Sequence, residues 1–102
     1  MTDVTIKQGD TLSWLVTIEE EIGDLATMTP RCDLRSIHGQ LRLTAVIVSA
    51  ADRTIALSAP ASATARLPPG LYRFDVELAS PGGVIRSSVT KTALILEDVT
   101  RV

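Results

Sequence analysis

Aromatic residues are scarce in this chain. They make up 3% of its 102 residues and are Trp14, Tyr72 and Phe74. The core must therefore be filled with Val, Ile, Leu and Ala, and a sugar site, which wants exposed rings, has little to be built from. There is one cysteine, Cys32, so no intramolecular disulfide can form, a usage that leans towards assembly in a reducing cytosol. A single histidine, His38, gives poor support to a histidine-based zinc site or to most acid–base pairs. The longest apolar stretch, residues 45–48, is far too short to span a membrane. The first ten residues carry neither a basic segment nor an apolar run, which argues against a signal peptide. A phosphate-cradling loop is also missing: Pro81-Gly82-Gly83 is followed by neither a helix nor the required lysine. With a net charge of −2, a pI near 5.2 and scattered arginines, no nucleic-acid footprint is expected.

What is present is an ordinary globular balance, 45% apolar and 22% charged, in a length that suits a single domain over residues 1–102. The chain opens on Met1 and ends VTRV, which reads as a complete gene product. Its strongest pattern is residues 67–78, LPPGLYRFDVEL. A stiff Pro-Pro-Gly turn leads into strict alternation. Tyr72, Phe74, Val76 and Leu78 share one face, and Arg73, Asp75 and Glu77 the other. A period of two with a charged outer face marks a strand half buried against a core. Residues 11–19 alternate likewise, with Leu12, Trp14, Val16 and Ile18 inward and Ser13, Leu15, Thr17 and Glu19 outward.

Further strands are expected at residues 4–6, 26–35, 41–49, 54–58, 84–90 and 92–99, separated by turns at Gln8-Gly9-Asp10, 37–40, 50–53 and 80–83. Pro30 cannot donate a ladder hydrogen bond, so its strand should be an edge or carry a bulge there. Residues 59–65 are alanine-rich and form the one helical candidate, a turn or two capped by Ser58 with Pro60 in the first turn. Seven or eight short strands at this spacing predict an all-β protein, an antiparallel immunoglobulin-like β-sandwich. The expected core is Trp14, Val16, Ile18, Leu34, Ile55, Leu57, Tyr72, Phe74, Val76 and Ile95. Tyr72, just after the turn and two residues before Phe74, has the placement of a tyrosine corner; an ordinary core tyrosine is the alternative.

The titratable residues suggest no chemistry. His38 reads as an exposed loop histidine and Cys32 as a small buried hydrophobe, although the sequence leaves a Cys32–His38 dyad open. Glu19, Glu20 and Glu21, followed by Asp24, read as a solvated acidic loop. Asp75 and Glu77 beside Arg73 read as salt bridging on a wet sheet face. The chain is read as a non-enzyme without cofactor or metal.

In order, QGDTLSWLVTI, the strand bearing RCDLRS, the segment IALSAPASATARLPPGLYRFDVEL, GGVIRS and the closing EDVTR resemble the small immunoglobulin-like virion proteins of tailed bacteriophages. They are similar to the N-terminal domain of phage baseplate upper proteins. The resemblance implies a structural virion protein, a repeated subunit of tail, baseplate, neck or head surface. It would be assembled in the host bacterial cytoplasm, located in the virion, and in contact with other virion proteins or with its own copies. Nucleic acid and membrane are not expected partners. The candidate protein-contact residues are Glu19, Glu20, Glu21, Asp24, His38, Arg73, Asp75, Glu77 and Arg101, with both termini. A carbohydrate- or cell-surface-binding adhesion module is the alternative.

Overall fold

The computed structural model describes residues 2–20 and 23–98. Among them the chain forms β1 (Val4–Lys7), β2 (Leu12–Thr17), a 3-10 turn (Leu25–Thr27), β3 (Thr29–Arg35), β4 (Gln40–Ser49), β5 (Thr54–Ala59), α1 (Ala61–Thr64), β6 (Gly70–Phe74), β7 (Val76–Ala79), β8 (Ile85–Ser87) and β9 (Lys91–Leu96). The protein is an all-β, immunoglobulin-like sandwich. One sheet runs β1-β9-β6-β3-β4, with β7 beside β3 and β8 beside β7; the other runs β4-β5-β2.

β4 belongs to both sheets. Leu41 and Leu43 pair with β3, whereas the strand pairs with β5 from Thr44 to Ser49. Because β4 leaves the first sheet at this point, the pairing of β3 with it begins only at Cys32, and Pro30 faces a strand on one side alone, at Leu78. That satisfies the edge requirement of a proline inside an otherwise central strand.

The long strand expected at residues 67–78, the anchor strand of the core, is broken at Asp75 into β6 and β7, and its hairpin partner is broken at residues 88–90 into β8 and β9. Phe74 pairs with Lys91 and Glu77 with Ser87, so two residues oppose three between these points, a β-bulge. Rejoining the two broken strands leaves seven. The sheet is not wholly antiparallel as expected, since β1 lies parallel to β9. The two strands come from opposite ends of the chain, so no crossover has to link them directly. Asp3 fastens this pair. Its N–H donates to the Thr92 carbonyl at 3.1 Å, and its carboxylate accepts from the Thr92 N–H at 2.8 Å.

Eight of the expected core residues are buried: Ile18, Leu34, Ile55, Leu57, Tyr72, Phe74, Val76 and Ile95. Trp14 and Val16 are only half buried. β2 is the edge of a three-stranded sheet, and these two inward side chains, unlike the buried Leu12 and Ile18 at its ends, lie at the open side of the sandwich. Leu12, Leu25 and Cys32 complete much of the remaining core. Leu25 sits in the 3-10 turn, a segment expected to be extended at residues 26–27; Asp24 caps that turn by accepting from the Ala26 N–H at 3.0 Å.

The expected helix is present as the single turn α1, but its cap differs. Ser58 stays in β5, whose pairing with β2 continues to Ala59, and Pro60 stands at the N-cap. The end strand expected at residues 84–90 also differs, because β8 is short and exposed on both faces.

Tyr72 is a tyrosine corner. Its fully buried hydroxyl donates to the Pro68 carbonyl at 2.7 Å. The QGD turn closes the same end of the sandwich. The Gln8 amide donates to the Leu67 carbonyl at 2.7 Å, and the buried Thr64 hydroxyl donates to the Asp10 carbonyl at 2.6 Å.

Candidate functional site

Arg73, Asp75 and Glu77 lie beside three charged residues of β3, Arg31, Asp33 and Arg35, with Arg42 of β4 on the far side. The register sets Arg35 opposite Arg73, Arg31 opposite Glu77 and Asp33 opposite Arg42. With Thr90 and Phe74, the three charged residues of β3 and Arg73, Asp75 and Glu77 line a groove of about 240 Å³. The ion pairs do not fall where the alternation suggested. Among the described residues they converge on Asp33, which accepts from Arg42 and, at 3.2 Å, from Arg35. Arg73, Asp75 and Glu77 make no ion pair among the described residues. Arg35 and Arg73, like charges in direct register, would repel across the strands; Asp33 offsets one of them.

The Arg42 hydrogen bond, with help from Arg35, holds the Asp33 carboxyl below the usual carboxylate range. A folded-state pKa lowered in this way contributes stability at neutral pH, and the contribution is lost as pH falls through the carboxylate range. Asp33→Asn is therefore expected to be less stable than the wild type at neutral pH. The difference should close below about pH 4, where an unfolded-state aspartate protonates. Urea melts over a pH series check this; a gap that stays constant with pH would refute it.

The acidic loop is tied down from within. The Glu20 carboxylate accepts from the Val89 N–H at 3.0 Å and so caps the bulge between β8 and β9. Arg53 holds the loop's backbone: its guanidinium donates to the carbonyls of Ile18 at 2.9 Å, of Gly23 at 3.2 Å and of Glu20. Arg53 was legible only as part of a turn. Its backbone has φ 58°, and that left-handed conformation aims the side chain across the loop. Glu19 is exposed, Asp24 serves the 3-10 turn, and Glu21 and Arg101 lie outside the described residues. Among the described residues no group of three His, Cys, Asp or Glu side chains is placed to hold a metal.

His38 is exposed in the β3–β4 loop. Its ring lies 3.4 Å from where a Cβ on Gly70 would stand, an ordinary contact distance, so this glycine is required by its φ of +143° alone. Cys32 points into the core at 1% exposure, and burial, followed by the charges of Asp33 and Asp75, pushes its thiol up to about 12. A thiol held protonated in this way is a poor nucleophile.

The surface also carries uncharged apolar residues. Leu15 is 69% exposed, Val46 54% and Val48 59% on the outer face of the β4-β5-β2 sheet. Around β8, Val84, Ile85 and Val89 are 53%, 63% and 58% exposed.

No family model and no curated protein matches the sequence. Among solved structures the chain is similar to an internalin-like protein of Listeria monocytogenes, with TM-score 0.44 and 15% identity over 93% of this chain. The chain spans about 27% of the length of that protein.

Proposed function

We propose that this chain is a structural subunit of a tailed-bacteriophage virion, present in repeated copies in the tail, baseplate, neck or head surface and acting through protein–protein contacts. The observation that carries a contact role is the apolar surface left uncovered on two separate elements, the outer face of β2 and β4 and the β8 hairpin. Clustered exposed apolar side chains of this kind belong to interfaces. The phage setting rests on the sequence resemblance. The segments that carry it, QGD and LPPGLY, meet at one end of the sandwich through the Gln8, Thr64 and Tyr72 hydrogen bonds. Imaging the purified particle and locating the chain tests the proposal, with a symmetric position of fixed copy number as the expected result. A free monomer in infected cells that binds a sugar or small molecule, and is absent from virions, would overturn it.

A further inference from the structure

The backbone pairing of β2 shows which of its groups are unused. The Ile18 N–H donates to the Arg53 carbonyl at 2.8 Å, which puts position 18 in the phase of the ladder whose groups point at β5. Hydrogen-bonded pairs alternate along an antiparallel ladder with pairs whose N–H and C=O groups point away. In the β2–β5 register the outward groups are therefore those of Ser13, Leu15 and Thr17. They make no backbone hydrogen bond to any described residue.

Natural sheets guard such edges with charge, proline, short length or a cover. The other edges among the described residues are guarded: β8 is three residues long, and the next amide along, Val89, is occupied by Glu20; β1 has four residues and ends on Lys7; and β4, paired on one side alone from Thr44 to Ser49, carries a bulge between Ile47 and Ser49. β2 has six residues, and residues 11–18 contain no charge and no proline.

The sequence of this edge is complementary to itself. An antiparallel twofold centred on Leu15 sets Leu15 against its own copy and Ser13 against Thr17 of the second copy. Trp14 then faces Val16, an aromatic–β-branched pair of the kind that stabilises sheets. Trp14 and Val16 are the two expected core residues left half exposed, and this pairing covers them. On the outer face Val46, Ala56 and Leu15 already stand in one cross-strand row. The twofold continues that row through the second copy. No like charges oppose each other within residues 11–18. At the flanks Asp10 meets Glu20, whose carboxylate is engaged by Val89, so salt should strengthen rather than weaken the pair.

We propose that β2 pairs antiparallel with β2 of a second copy of this chain about a twofold at Leu15, joining two three-stranded sheets into one of six strands. The proposal rests on the repeated-subunit reading for its biological setting. Sedimentation of the full chain at up to about 1 mM, where a pair with millimolar Kd is already substantially formed, should give twice the 10.9 kDa chain mass. Leu15→Pro deletes an outward N–H and no bond to β5, and should return the mass to one chain. Ile85→Pro, the same change on the guarded β8 edge, should stay at twice. If Leu15→Pro melts far below the wild type, Leu15→Lys replaces it, keeping the backbone donor and setting two cations on the axis. Under oxidation Leu15→Cys should form a covalent dimer, whereas Val46→Cys, exposed on the same face but two strands away from β2, should not. A wild type that sediments as one chain overturns the proposal, as does pairing that survives both Leu15→Pro and Leu15→Lys, or equal cross-linking at position 46. A monomeric wild type whose β2 takes a strand from another protein overturns it too. Absence from virions would leave the dimer result standing, and a monomer found in virions would leave the virion reading standing.

Discussion

Phe74→Ala is expected to lower the stability of the domain by about 3–5 kcal/mol, the usual range for a deleted core aromatic. The ring is 3% exposed and packs 5.5 Å from Trp14 at a 31° tilt, so it bridges the two sheets at the side β4 does not close. Its removal leaves a cavity and also strips Trp14 of its partner. Of the other two aromatics, Tyr72 is tied to the Pro68 carbonyl, so Trp14 is the one ring left beside the space. Against a typical domain stability of about 5–15 kcal/mol the loss is a large fraction. Urea melts monitored by Trp14 fluorescence measure it, and an unchanged midpoint would show that the anchor strand does not bury this residue.

Arg53→Met is expected to cost about 1.5–3 kcal/mol, the range for hydrogen bonds that involve a charged group. Methionine keeps the apolar stem and removes the donors, leaving the carbonyls of Ile18, Glu20 and Gly23 without the guanidinium that gathers them. Arg53→Lys should recover little, because one compact ammonium cannot reach three carbonyls that a planar fork spans. Calorimetric melts of the two variants check this; full recovery by lysine would mean that charge alone, and not the fork, holds the loop.

The alternation of residues 11–19 and 67–78 revealed strand, face and core together, because a period of two with apolar residues on one side has a single physical meaning. The tyrosine corner was legible from Pro69, Gly70 and Tyr72 for a similar reason, since turn and phenol stand at a fixed offset. Less was visible where one segment serves two partners. Residues 41–49 read as one strand, and nothing in their composition marks Leu43–Thr44 as the point of transfer between sheets. Leu25 was missed because a one-turn 3-10 segment has no periodicity. The exposure of Trp14 follows from β2 lying at an edge, a property of the topology and not of the strand's own residues. At the candidate surfaces the charged face of Arg73, Asp75 and Glu77 was read from the outer alternation. Its ionic centre, Asp33, was hidden because its partner Arg42 arrives from a different strand.

The sharing of β4 between the sheets governs how the domain opens. Along that side the two layers are joined by continuous backbone, like the spine of a book, and no local fluctuation can part them there. Along the facing side they are held by the Trp14–Phe74 contact and by the Glu20–Val89 hydrogen bond. Breathing motions should therefore part the covers at the fore-edge, exchanging the amides of β2 and β8 well before those where β4 meets β3 and β5. The side chains uncovered first in such an opening are the inward ones of β2, so the strand with the least protection against a newcomer is also the one the fold exposes most readily.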